Sequence, residues 1–149
     1  MKNLKRRTVK FLFLVLTLLN CSTFHVMAQK ADINYDRLIT AIGTVESKLN
    51  DKAVNGVHAG FLQISGVTVA ECNRINEIKK VSKRYSLQDR FNHQKSIEMF
   101  YIIQNFYNPS GDLHYSILLW NEGCSAMKKP KRKTKYYNNV IKVYKELSN

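Results

Sequence analysis

The strongest constraint in this sequence is a helical rhythm that begins near Ile33. Leu38, Ile42, Val45 and Leu49 step by four, three and four residues, which lines them up on one stripe of a helix over Ile33 to Leu49. Asp32 is placed to cap its start, and Asn50-Asp51 followed by Asn55-Gly56 marks its exit and a turn. The rhythm returns from Ser96 to Tyr107, where Ile97, Phe100, Tyr101 and Gln104 share a face, with Ile103 and Phe106 beside it. Asn108-Pro109-Ser110-Gly111 then breaks the helix. Asp112 can cap a third helix, Leu113 to Trp120, with Gly123 as its stop. Thr134 can cap the last, which carries Tyr137, Val140, Ile141, Tyr144 and Leu147. Between the first two helices the pattern weakens. His58 to Val69 contains glycine, is rich in β-branched residues and reads as a turn or short strand leading into a helix over Val67 to Ile78. Lys79-Lys80 and Lys83-Arg84 follow as a solvated basic loop. The expected fold is mainly α: one small helical domain with a short β or irregular element beside a cleft.

The N-terminus stands apart from this pattern. Lys2, Lys5, Arg6, Arg7 and Lys10 form a basic region, and Phe11 to Leu19 is an almost unbroken apolar run. Val26-Met27-Ala28 then offers a small-residue cleavage site. That order is the pattern of a secretory signal peptide, expected over residues 1–28, which leaves residues 29–149 as the folded domain. An uncleaved anchor and a lipoprotein attached through Cys21 are the alternatives. Export, to a periplasm or beyond, is the expectation. Cys72 and Cys124 are the cysteines of the mature part, as one disulfide or as two separate thiols.

Charge narrows the partners. With the five basic residues of the leader set aside, 19 Lys and Arg remain against 11 Asp and Glu, a balance of +8. An exported basic domain suits an anionic polymer or envelope surface. The run Lys128-Lys129-Pro130-Lys131-Arg132-Lys133, flanked by Tyr136 and Tyr137, would also suit nucleic acid, but export argues against such a partner. An anionic envelope contact through Lys128 to Lys133 is the expectation. His58, His93 and His114 are isolated and form no ligand spacing, so no metal or other cofactor is expected.

Glu46 is the candidate for chemistry. It sits at the edge of the apolar stripe and in the last turn of its helix. There the helix dipole and partial burial both favour the neutral acid, which is what a general acid at neutral pH requires. An ordinary boundary glutamate would occupy the same position.

Glu46-Ser47 is followed by Leu49-Asn50, Ala53-Val54, Gly60-Phe61-Leu62-Gln63-Ile64 and Thr68. Trp120-Asn121-Glu122-Gly123 and Tyr137-Asn138-Asn139-Val140 come later. In this order the segments resemble the signature of lysozyme-like lytic transglycosylases, over nearly all of the mature chain. The resemblance implies an α+β lysozyme-like fold with a glycan-binding cleft. It implies cleavage of the β-1,4 bond between N-acetylmuramic acid and N-acetylglucosamine in peptidoglycan, with anhydro-muramyl products. It implies Glu46 as the catalytic acid and then base. Ser47 would sit near the acid or close the helix end. Gly60 would allow close backbone approach to Glu46 or substrate. Leu62 would wall the cleft, in place of the family's usual Met. Gln63 would bind sugar or the acid, or be a satisfied buried amide. Asn121 would bind an N-acetyl group, and Tyr137 would line the cleft near Glu46. Trp120 would stack on a sugar or belong to the core.

Three positions depart from the family pattern. Gly66 stands in place of Pro, Asn55 in place of Ser, and Glu122 in place of a small residue. A second carboxylate at Glu122 would serve a hydrolytic, muramidase-type outcome. A non-cutting glycan-binding or envelope-binding domain is the remaining alternative. Similar domains serve wall turnover, phage lysis, and secretion or conjugation machines, and the small size here suits local opening of the wall beside a partner.

Overall fold

The computed structural model describes residues 33–148. The expected signal peptide, Cys21 and the Asp32 cap lie outside them. The first helix, α1 (Tyr35–Ser47), is capped by Asn34, whose side chain accepts from Arg37 N at 2.9 Å. It buries Leu38, Ile39, Ala41 and Ile42. It ends two residues before the expected Leu49, because Lys48 and Leu49 turn to φ 57° and 63°. Leu49 therefore leaves the stripe and is exposed.

Three two-residue strands follow. They are β1 (Val54–Asn55), β2 (His58–Ala59) and β3 (Ile64–Ser65), antiparallel in the order β1-β2-β3. Asn55 pairs with His58 across a two-residue loop, and His58 pairs with Ser65. This small sheet is locked to its surroundings at two glycines. Gly60 has φ 77°, and a Cβ there would fall 1.8 Å from the Arg90 carbonyl oxygen. Gly43, on α1, lies under the Phe61 ring, where a Cβ would meet Cδ2 at 2.7 Å. The sheet is thereby held against the same helix that carries Glu46.

Helix α2 (Gly66–Ile78) is capped by Ser65, whose hydroxyl accepts from Thr68 N at 3.1 Å. It buries Val69, Cys72 and Ile75. Its polar residues pin the basic loop behind it: Asn73 exchanges two hydrogen bonds with the Tyr85 backbone and Asn76 donates to Lys83 O. A 3-10 turn (Leu87–Phe91) leads into α3 (His93–Tyr107). That helix begins three residues before the expected Ser96, with Asn92 as cap. Asp112 caps α4 (Leu113–Glu122), which runs two residues past the expected Trp120 and stops at Gly123. A second 3-10 turn (Cys124–Lys128) precedes α5 (Lys135–Glu146), capped by Thr134.

The core collects one face from each layer. Leu38, Ile42, Phe61, Ile75, Phe100, Ile117 and Val140 are fully or almost fully buried. Helix α5 packs chiefly on α1, and α3 packs on α2. Val140 is the buried residue of α5, so the face of that helix turned to α1 is the face containing Val140.

Candidate active site

Glu46 opens into a cleft of about 580 Å³. The sheet supplies Asn55 and His58 to its lining, the turn before β3 supplies Gln63, α2 supplies Thr68 and Glu71, and α3 supplies Ile103 and Tyr107. The end of α4 closes it with Leu119, Trp120 and Asn121, followed by Gly123 and Cys124.

The Glu46 carboxyl is half-buried and receives one side-chain hydrogen bond, from the Tyr136 hydroxyl to Oε1 at 2.7 Å. Burial lifts its pKa above the ordinary carboxylate range, while the bond from Tyr136 and the nearby His58 ring pull it partly back. The Tyr136 phenol is itself held in its protonated form by burial and by the neighbouring Glu46. It therefore stays a donor to the Glu46 carboxyl. A carboxyl raised by desolvation and aimed into an open groove is equipped to give a proton to a bound oxygen.

The residues expected at the site divide into two groups. Gln63 and Asn121 join Glu46 along the cleft. The Gln63 backbone adopts φ 51°, and its amide donates to Gly60 O at 2.9 Å. Ser47 closes the helix end instead. Its hydroxyl donates to Phe61 O at 2.8 Å and accepts from Asn50 N at 3.0 Å. Gly60 does permit a close approach, but to the Arg90 backbone rather than to Glu46 or substrate. Leu62 is not a cleft wall: its side chain is wholly buried, and its carbonyl accepts from Trp120 Nε1 at 3.1 Å. Trp120 is thus anchored by its indole and by Phe100, ring centres 5.0 Å apart, with part of its surface left on the cleft.

Tyr137 is corrected by one residue. It packs against the His114 ring at 4.3 Å, and the tyrosine that meets Glu46 is Tyr136. Neighbouring residues of a helix point about 100° apart, so a shift of one changes the face. Tyr136 and Tyr137 lie four and three residues before Val140, so both border its buried face and spacing alone does not separate them.

Glu122 is also displaced from its expected role. It is outside the cleft lining, paired with Arg132 and 3.7 Å from Lys129. Lys131 is bound to Asp112 at 2.5 Å, and the Arg132 backbone N–H donates to His114 Nε2. Part of the basic run expected to face an anionic envelope is therefore a strap tied to α4. The carboxylate that does share the cleft with Glu46 is Glu71. Arg74, with help from the Tyr107 hydroxyl, keeps it below the ordinary carboxylate range. Cys72 and Cys124 are both free; Cys72 is buried, which pushes its thiol up to about 12, and Cys124 is exposed at the cleft rim. Among the described residues no group of three His, Cys, Asp or Glu side chains is placed to hold a metal ion.

The small helical fold thus sets one desolvated carboxyl, that of Glu46, over an open groove. The chain matches the Transglycosylase SLT domain over residues 23–141, beginning inside the expected leader, and belongs to that family of lysozyme-like lytic transglycosylases. No match was found among curated proteins or among solved structures.

Proposed function

We propose that the domain cuts peptidoglycan strands between N-acetylmuramic acid and N-acetylglucosamine with Glu46 as the single catalytic carboxyl group. Membership of the family supports a lytic transglycosylase type of cleavage. The observation that carries the assignment to Glu46 is the desolvated carboxyl on the cleft, oriented by Tyr136. Glu46 protonates the glycosidic oxygen as the C1–O bond breaks. The Glu46 carboxylate then takes the proton of the muramyl 6-hydroxyl as that oxygen closes on C1, which leaves an anhydro end and restores the acid.

Transglycosylation is favoured over hydrolysis by the state of the other carboxylates. Both Glu71 oxygens are engaged, by Arg74 at 2.8 and 2.6 Å and by Tyr107 at 2.5 Å, and Glu122 is taken up by the strap. Gln63 and Asn121 would contact the sugars. Export through the residue 1–28 leader would bring the domain to its polymer, and a partner machine would supply targeting.

The test is clearing of a cell-wall suspension by wild-type protein and Glu46→Gln. The glutamine keeps the shape and can still accept from Tyr136, but gives no proton. Its rate is expected to fall by roughly 10²-fold or more. Clearing at the wild-type rate would remove Glu46 from the chemistry.

A further inference from the structure

The sequence carries two basic runs, and the fold treats them differently. In the run from Lys128 to Lys133, Lys129, Lys131 and Arg132 are drawn onto Glu122 and Asp112. The run at the exit of α2 stays open to solvent. Lys79, Lys80, Lys83 and Arg84 are all exposed. Lys83 meets Glu98 at 2.7 Å, and the Lys79 ammonium lies over the Phe106 ring at 5.8 Å. Among the described residues Lys80 and Arg84 have no acidic partner. Glu77 is the acidic residue of this stretch, and it too is exposed.

Two apolar side chains stand among these cations. Ile78 is 55% exposed and Val81 47% exposed. An isolated exposed aliphatic residue is ordinary on a protein surface. Two of them interleaved with four cations make a different surface, one with a charged and an apolar component together.

The segment is also held in shape, although it is a loop. The Val81 N–H donates to Asn76 O at 2.8 Å, and the Asn76 side chain donates to Lys83 O at 2.8 Å. The Asn73 side chain donates to Tyr85 O and accepts from Tyr85 N, at 2.8 and 2.7 Å. Little ordering is then left to be done on binding. The loop leaves the end of α2 opposite the cleft. Val67, Thr68 and Glu71 of the first turns line the cleft, whereas Ile78 is the last residue of the helix, about 16 Å along its axis from Val67.

We propose that the loop from Ile78 to Arg84 docks the domain on an anionic phospholipid surface. The cations lie at the lipid phosphates, and Ile78 and Val81 enter the boundary between headgroups and acyl chains. A phosphate-bearing wall polymer would engage the cations and leave both apolar side chains in water, so the apolar pair favours lipid. Docking through this end of α2 keeps the cleft clear of the bilayer and open to glycan. The proposal is independent of the assignment of Glu46.

The experiment is co-sedimentation with vesicles of phosphatidylglycerol and phosphatidylcholine in equal parts, against vesicles of phosphatidylcholine alone. The protein used lacks residues 1–28, since an apolar leader would itself bind lipid; residues 32–149 form one compact unit with the whole described core. Wild type should bind the mixed vesicles and not the neutral ones, with binding that weakens as salt is raised. The paired changes Lys80→Glu with Arg84→Glu, and Ile78→Ser with Val81→Ser, should each weaken binding by about 10-fold or more. Lys128→Glu with Lys133→Glu makes the same change of charge elsewhere and should stay within about twofold of wild type. Cleavage of soluble glycan strands by both loop variants should match wild type, which shows that they are folded. Glu46→Gln should bind vesicles as wild type does, whatever its activity. The proposal is overturned if wild type ignores the mixed vesicles, or if the Lys128 and Lys133 pair loses as much binding as the Lys80 and Arg84 pair. It is also overturned if the Ile78 and Val81 pair binds like wild type, which would assign the loop to a phosphate polymer through charge alone.

Discussion

The carboxyl of Glu46 is pulled in two directions. Burial favours its neutral form, and the donated bond from Tyr136, with His58 nearby, favours the ionised form. Burial is the larger effect, so the group is kept as an acid to higher pH than a surface glutamate. Tyr136→Phe removes the main opposing influence. The pKa then rises further, and because the acid works only below its pKa, the alkaline limb of kcat/KM should move to higher pH. Losing a hydrogen bond to a desolvated carboxyl should also cost about 1–3 kcal/mol of stability above that pKa, and less below it. Both are measurable, by rate against pH and by thermal unfolding at several pH values. An alkaline limb that stays in place would mean that Tyr136 does not tune Glu46. Glu46 was readable as a candidate from its helix position and its neighbours. Tyr136 was not separated from Tyr137, because two adjacent tyrosines carry the same chemistry and only the packing of α5 on α1 selects between them.

At the scale of elements, the site depends on the turn from β3 into α2. Ser65 is extended, at φ −86° and ψ 162°, and caps a helix whose first residue is Gly66. The family's usual proline would fall at that first helical position, where its locked φ is already suitable and its missing N–H costs nothing. Glycine there leaves the unfolded chain extra freedom, so Gly66→Pro should stabilise the domain by about 0.4–1 kcal/mol. An unfolding midpoint that falls would show that Gly66 has a different backbone need. The contact to inspect would then be the Leu87 side chain, which a Cβ on Gly66 would meet at 3.4 Å. The caps at Asp112 and Thr134 were legible because a capping bond spans only three residues. The start of α1 was less so: Asp32 and Asn34 are both good caps, and the choice is Asn34. Leu49 continues the apolar spacing, but the two left-handed residues that end α1 take it off the stripe.

Across the whole molecule, the fold class was legible because helical periodicity and breakers are local properties of the chain. The cleft was legible only in outline, since it is made where α1, the small sheet, α2, α3 and the end of α4 converge over long sequence separations. Leu62 shows the limit: it sits in the motif most typical of the family, yet its side chain belongs to the core and its carbonyl holds Trp120. Glu122 shows another, since only the fold reveals that the basic run returns to neutralise it. What remains at the centre is one desolvated acid, Glu46, facing an open groove. Mass spectrometry of peptidoglycan digested by the wild-type domain tests this most directly. Muramyl fragments ending in the anhydro form are the expected product. Fragments carrying only hydrated reducing ends would contradict it.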